Sequence, residues 1–244
     1  MKISIVTVCK NSERTIERCI RSVINQSHED IEYIVIDGSS TDRTLSILKD
    51  YQDHIATLVS EPDSGIYNAM NKGIAYVNGD IVYFLNSDDY FYDPNVILDV
   101  ASEFRRNEEC LLAYGDIKVV KGTGTHEVKY QDITPKFFYK NTICHQAIFA
   151  KRELFDIIGH FNEDYKIHAD VDWLMRAYFN PTIRDRLRYI DRMICYFSGE
   201  GMCSNDYYAN KYKFDREKIS AQYFLEARIK RIIKNVLRSA GVIS

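Results

Sequence analysis

Residues 80–90 read DIVYFLNSDDY. The run Ile81-Val82-Tyr83-Phe84-Leu85 shows no polar alternation, which predicts a strand covered on both faces. It breaks off into Asn86-Ser87-Asp88-Asp89, residues that by themselves make an ordinary turn. Strands of this kind belong to parallel sheets layered between helices, and the sequence upstream keeps the same rhythm. ISIVTV (3–8) and YIVID (33–37) are further buried-strand runs, and IATLVS (55–60) holds a shorter one. Between them Ile16, Cys19, Ile20, Val23 and Ile24 recur at helical spacing, with Asn11-Ser12 as capping candidates. Leu45 and Leu48 lie on a second helix that Ser40 or Thr41 is placed to cap, and IYNAMNKGIAYV (66–77) makes a third. Strands and helices alternating at this length imply an α/β fold with a parallel sheet and right-handed crossovers.

The second half is less regular. Asp93-Pro94 predicts a helix with Asp as cap and Pro at its first position. LLAYGDIKVV (111–120) reads as a strand, KGTGTHEVKY (121–130) as a hairpin turning at Gly122 and Gly124, and AIFA (147–150) as a short strand. KRELFDIIG (151–159) is a helix stopped by Gly159, and ADVDWLMRAYF (169–179) is another. Without repeats, low-complexity stretches or a Pro/Gly/Ser-rich linker, residues 1–204 are expected to form one domain, followed by a helical extension over 205–244.

Composition narrows the function classes. The 244 residues carry 32 Lys+Arg against 35 Asp+Glu, so no overall field favours nucleic acid. The six cysteines show no metal-ligand spacing and read as reduced thiols. No cleavable leader follows MKISIVTVCKN and no run of 18 apolar residues occurs, so a soluble cytoplasmic protein is expected. ARIKRIIKNVLRSAGVI (227–243) is a basic amphipathic pattern. It suits either a helix docked on the core or a peripheral contact with the inner face of an anionic membrane.

In open parallel sheets, ligands collect beyond the carboxyl ends of the strands. Thr7 to Asn11, Asp37-Gly38-Ser39, Glu61 to Gly65 and Asn86 to Asp89 all fall there. Each cluster alone is an ordinary strand end, but four along one edge bring carboxylates together, and like charges need a cation to stay ionised. Mg²⁺ or Mn²⁺ meets that need with one or two carboxylates and leaves room for phosphates. Neither GxxxxGK[ST] nor a GxGxxG after the first strand is present, which disfavours P-loop hydrolysis and a nicotinamide cofactor.

SIVTVCKNSERTIERCIRSVINQ, IDGSSTD, SEPDSGIYNAMNKGI, YFLNSDD and ADVDWLMR occur in that order. Together they resemble the family 2 glycosyltransferases of GT-A fold, and within them the bacterial enzymes of exopolysaccharide, capsule and O-antigen assembly. The likeness runs from about residue 2 to 180, and EPDSGIYNAMNKG is its most specific block. It implies a Rossmann-like sheet, a nucleotide-binding half over about 1–110 and an acceptor half over about 111–204. It also implies inverting, metal-dependent transfer of a sugar from a nucleotide diphosphate, UDP above all, to a hydroxyl of a saccharide or lipid-linked acceptor.

Carried over position by position, the resemblance makes Asp37 the base-reading aspartate and puts Thr7 and Asn11 beside the nucleoside. Asp63 and Asn68 line the donor pocket, Asp88 lies near ribose or donor sugar, and Asp89 holds Mn²⁺ or Mg²⁺. Asn86 stands where many members have Asp, which leaves coordination to Asp88 and Asp89. Asp170 is the implied base, although Ala169 stands where the family has Glu; Asp172 is its rival. His145 in ICHQAIFA is either a contact to phosphate or acceptor or a structural histidine. Trp173 is expected in the core, and Lys72 and Arg43 are either phosphate partners or solvated charges. The alternatives to a transferase are a sugar-phosphate nucleotidyltransferase and a noncatalytic nucleotide-sugar-binding relative. The former usually shows a glycine-rich basic loop after the first strand, and TVCKNSERT has no glycine.

Overall fold

A computed structural model describes residues 1–199 and 215–224. The first half alternates as expected: β1 (Ile3–Cys9), α1 (Ile16–Ile24), β2 (Ile31–Asp37), α2 (Thr44–Asp50), β3 (Thr57–Ser60), α3 (Ile66–Ile74) and β4 (Ile81–Phe84). These four strands are parallel in the order β3-β2-β1-β4. Every residue of β1 and β4 is buried, which is why both read as unbroken apolar runs. Register aligns Cys9 with Asp37 and Asp37 with Ser60, so the strands end together on one edge.

The second half adds β5 (Tyr90–Phe91), α4 (Val96–Arg106), β6 (Leu112–Lys121), β7 (Gly124–Val128) and α5 (Pro135–Lys140). It continues with β8 (Ile148–Lys151), α6 (Glu153–Ile158), α7 (Ala169–Tyr178) and β9 (Leu187–Ser198). The sheet carries on through β4-β8-β6-β9-β5, with β7 paired to β6. The β4–β8 and β8–β6 ladders are antiparallel, so the expected run of parallel strands is interrupted after β4, and parallel pairing returns only between β6 and β9. Both halves share this one sheet. Residues 215–224 are helical and pack Tyr223 and Phe224 against Phe179. The amphipathic pattern over 227–243 lies outside the described residues; among those described, no helix is long and apolar enough to cross a membrane.

Three helix starts differ from expectation. The first helix begins at Ile16, where Ser12 offers its backbone carbonyl to Thr15 and Ile16 rather than a side-chain cap. Asn11 is held at φ 52°, a turn conformation that delays the helix. The second begins at Thr44, whose N–H is accepted by Asp42 rather than by Ser40 or Thr41. The fourth begins at Val96, because Asp93 turns its carboxylate to Asn95 N–H and to Arg192. In each case a tertiary or local turn partner claims the polar side chain.

Trp173 is 3% exposed and stacks on Phe155 at 4.7 Å, with its indole N–H donated to Gly159 O. That core role fastens α7 to the loop before it. Lys72 pairs with Glu61 at 2.6 Å and Arg43 with Glu13 at 3.3 Å, so each cation already has a carboxylate.

Candidate active site

The strand-end edge gathers most of the expected residues, though not all face outward. Thr7 is wholly buried: its hydroxyl lies 3.2 Å from Tyr33 Oη and 3.7 Å from Cys19 on α1. Its expected contact with a nucleoside is therefore corrected to a core role, because the β1 side chain points into the helix layer. Asn11 instead lies at the edge, where its Oδ1 accepts from Thr41 N–H at 2.8 Å and its own N–H is donated to Ser40. It ties the loop after β1 to the loop after β2.

Asp37 ends β2 with no exposed surface. Its carboxylate accepts from the Ser40 N–H (3.0 Å), the Ser40 hydroxyl, the Ser60 hydroxyl (2.7 Å) and the Cys9 thiol (3.7 Å). Next to it, a side chain on Gly38 would put a Cβ 2.1 Å from Asp63 Oδ2; only glycine lets that carboxylate approach the strand end. Asp63 also accepts from Gly65 N–H, and Gly65 adopts φ 137°, a conformation that opens α3 without a side chain in the way. Asn68 is half-buried and lines a small pocket with Ser64, Tyr67 and Glu163. It donates to Glu163 at 2.9 Å and, with Asn71, binds the loop over 159–168 to α3.

The turn after β4 divides its two carboxylates. Asp89 is 1% exposed, accepting from Ser198 N–H at 2.7 Å and from Gln146 Nε2 at 2.8 Å. Burial, and then the charge of Asp88, push its acid well above the ordinary carboxylate range. Asp88 is half-buried and lines a cavity of about 210 Å³ with Thr15, Arg18, Tyr90 and Ser198 among its neighbours. Burial raises its acid too, against the Ser198 hydroxyl and the charge of Arg18. Arg18 is fixed there by a bond to Asp88 O at 3.0 Å and by lying 4.2 Å over the Tyr90 ring. In the same turn, Asn86 Oδ1 is buried without a hydrogen-bond partner among the described residues.

The second carboxylate site lies on α7. Asp170 is 16% exposed; its Oδ2 is 3.3 Å from His145 Nδ1 and its Oδ1 is 2.8 Å from the Tyr67 hydroxyl. That hydroxyl also reaches Ile167 O and donates to one of the two at a time. Burial works to raise the Asp170 acid, but the hydrogen bond with His145, the Tyr67 bond and His168 together bring it below the ordinary range. Asp170 is therefore a carboxylate at neutral pH.

Asp172 is occupied differently. It accepts from Arg176 Nε at 3.0 Å, and Arg176 donates onward to Ile158 O and to His160 O at 2.7 Å. It braces α7 against the loop behind it. Asp172→Ala is expected to lower stability by about 1–3 kcal/mol, since it strands a partly buried guanidinium. Chemical denaturation checks this, with catalytic turnover retained in the variant that remains folded.

His145 and Gln146 were the least expected members. They sit on a single 3₁₀ turn, His145–Ala147, just before β8. His145 holds Asp170 while Gln146 holds Asp89, so adjacent residues join the two carboxylate sites. The motif was visible in the sequence, but its double engagement was not.

The family model for glycosyl transferase family 2 matches residues 4–171. The chain belongs to glycosyl transferase family 2. It is 32% identical over 190 residues to a PGL/p-HBAD biosynthesis glycosyltransferase of Mycobacterium bovis, covering 77% of this chain and 73% of that protein. It is 31% identical over 148 residues to the putative teichuronic acid biosynthesis glycosyltransferase TuaG of Bacillus subtilis, 58% of each. Among solved structures, S. aureus TarS 1–349 in complex with UDP-GlcNAc aligns at TM-score 0.69 and 23% identity, over 82% of this chain and 59% of that one. The mannosyltransferase PcManGT of Pyrobaculum calidifontis, in complex with GDP-Man and Mn²⁺, aligns at TM-score 0.60 and 18% identity, covering 93% and 64%. This family 2 chain thus spans about three fifths of those solved structures, which share its GT-A fold. It is a glycosyltransferase, and the nucleotidyltransferase and noncatalytic alternatives fall away.

Proposed function

We propose that the protein transfers a sugar, with inversion, from a nucleotide diphosphate sugar to a hydroxyl of a saccharide or lipid-linked acceptor in bacterial surface-glycan synthesis. UDP is the favoured nucleotide. The observation that carries this reading is Asp170, a nearly enclosed carboxylate whose hydrogen bonds keep it ionised. Inverting transfer needs such a group to accept the acceptor proton as the hydroxyl attacks the anomeric carbon. The relatives supply the context: they are named for PGL/p-HBAD and teichuronic acid biosynthesis, and a structure of similar fold holds UDP-GlcNAc.

The loop after β4 fits a hard divalent cation. Asp88 offers a cavity-facing carboxylate and Asn86 a buried oxygen unpaired among the described residues, and the cost of ionising the Asp88-Asp89 pair, whose acids burial raises, is what a cation would relieve. On this reading Asp88 holds Mn²⁺ or Mg²⁺, and Asp89 is the brace behind it; the expected ligand, Asp89, has both oxygens engaged by protein donors. A bound ion offsets the charge that develops on a departing diphosphate. Arg18 adds a fixed positive charge beside Asp88.

Asp37 keeps its proposed place against the base. On this reading an N3–H of uracil would compete for the Asp37 carboxylate with the Ser40 and Ser60 hydroxyls that hold it. Asp63 is proposed to lie beside the nucleoside over Gly38.

A thermal-shift screen of UDP-, GDP- and dTDP-sugars with Mn²⁺ tests the reading. A bound donor at 100 times its Kd stabilises the fold by about 2.7 kcal/mol, which is a clear rise in Tm. A rise with UDP-sugars that requires the cation is expected. No rise with any nucleotide sugar would defeat the donor assignment.

A further inference from the structure

His145 is bound on one side only. Its Nδ1 lies 3.3 Å from Asp170 Oδ2, its side chain is 13% exposed, and its Nε2 is buried with no hydrogen-bond partner among the described residues. The ring cannot shift easily to satisfy that atom. It stands on a turn closed by the Ala147 N–H to Cys144 O bond, and its neighbour Gln146 is held through both amide and carbonyl. Gln146 Nε2 donates to Asp89, while Gln146 O accepts from the Tyr83 hydroxyl at 2.7 Å. A buried polar atom left unpaired in a rigid setting costs about 1–3 kcal/mol, and it is recovered when a ligand supplies the missing partner.

The chemistry of that ligand follows from the tautomer. An ionised Asp170 accepts hydrogen bonds only, so Nδ1 is the protonated nitrogen facing it, and in the neutral ring Nε2 keeps a lone pair. A phosphate oxygen is also an acceptor and would be repelled by that lone pair. A hydroxyl is the group that satisfies it. The ring lies beside the base on α7, and the next residue, Gln146, reaches the turn after β4 through Asp89.

Building on the transferase reading, we propose that His145 is a positioning residue with a substrate contact: Nδ1–H aims the Asp170 carboxylate, and Nε2 accepts a hydrogen bond from a hydroxyl of the donor sugar. One ring thereby sets the distance between the base and the sugar it serves. Gln146, by holding Asp89, fixes the same turn against the diphosphate side.

Three substitutions in the full chain separate the two roles. Asn places an N–H where Nδ1 stands, Gln reaches the position of Nε2, and Ala does neither. With UDP-GlcNAc as first probe and the best donor of the thermal screen as second, nucleotide release reports turnover. His145→Ala is expected to lower kcat by about 10- to 100-fold, the range of a misplaced general base. His145→Asn restores most of kcat with a raised donor KM, and His145→Gln keeps KM near wild type with kcat still low. Wild-type kinetics in the Ala variant, or Asn and Gln variants that both match Ala, would overturn the proposal.

A second readout does not depend on turnover. Imidazole ¹⁵N shifts of His145 should show the neutral Nδ1–H form in the free protein, and an Nε2–H form in Asp170→Asn. UDP-GlcNAc or the best screened donor, added with Mg²⁺, should shift the Nε2 resonance. An Nε2–H form or an imidazolium in the free wild type overturns the proposal, and so does an unmoved Nε2 under bound donor. If the free-protein tautomer is as expected but no nucleotide sugar binds, the donor reading has failed. The substrate contact then falls with it, while the Asp170 positioning survives.

Discussion

Asp170→Asn is expected to bind nucleotide sugar as the wild type does and to transfer it about 100-fold more slowly or worse, the scale of general-base catalysis. The amide keeps the volume and one acceptor oxygen toward Tyr67 or His145, so the fold should hold. Thermal shift with the donor checks binding and nucleotide release checks turnover. If the variant turns over normally, the base is elsewhere. The pH dependence follows from the direction of the acid's displacement. His145, Tyr67 and His168 outweigh burial and leave the Asp170 acid below the ordinary range. Turnover should therefore stay flat through neutral pH on the Asp170 limb and fall only as pH drops through that lowered value. The same group contributes stability above the unfolded-state carboxylate pKa and loses it as pH falls through the folded one. In His145→Ala the acidic limb should move upward, because burial then acts with less opposition.

The second large effect separates Asp88 from Asp89. Asp88→Ala is expected to abolish cation-dependent stabilisation and turnover while leaving the apo fold close to wild type, since its carboxylate faces the cavity. Asp89→Ala should instead destabilise the protein by about 2 kcal/mol or more, because Ser198 N–H and Gln146 Nε2 would both lose their acceptor in a buried place. Denaturation and Mn²⁺ titration of the two variants make the distinction. The reverse pattern would return the metal to Asp89.

The sign of the pH effect at this pair is opposite to that at Asp170. Both acids are raised by burial, so the folded state favours their protonated forms. Without a cation, their contribution to stability is full below the unfolded-state value and is lost as pH rises through the folded values. A divalent ion that binds the ionised form must stabilise more as pH rises across that window. The Tm increment from Mn²⁺ should accordingly be larger at about pH 8 than at about pH 5. An increment independent of pH would mean that the ion binds elsewhere.

Much of this was legible in one dimension. The run over 81–85 and its counterpart over 3–8 announced strands covered on both sides, because burial on two faces removes the polar alternation. Asp37, Asp63, Asp88 and Asp89 could be set on one edge from the alternation of strands and helices alone, and motif order named the family. The edge assignments stopped short of side-chain direction. Thr7 reads as a nucleoside contact, but its hydroxyl lies in the core against Tyr33 and Cys19. The antiparallel β4–β8 ladder was equally hidden, since a short apolar strand reads the same whichever way it runs.

The sequence by itself determined the fold class, the family and the pool of carboxylates, because periodicity and residue order are local properties. Which carboxylate does what was decided only in three dimensions. Asp172 differs from Asp170 by the Arg176 that takes it, and Asp89 differs from Asp88 by the Ser198 amide and Gln146 that enclose it. His145 changes from an ordinary histidine to a link between two sites because the fold sets α7 against it and the turn after β4 against its neighbour Gln146. Burial and hydrogen-bond supply depend on neighbours distant in the chain, and those two quantities fix where a carboxylate's charge is available for chemistry.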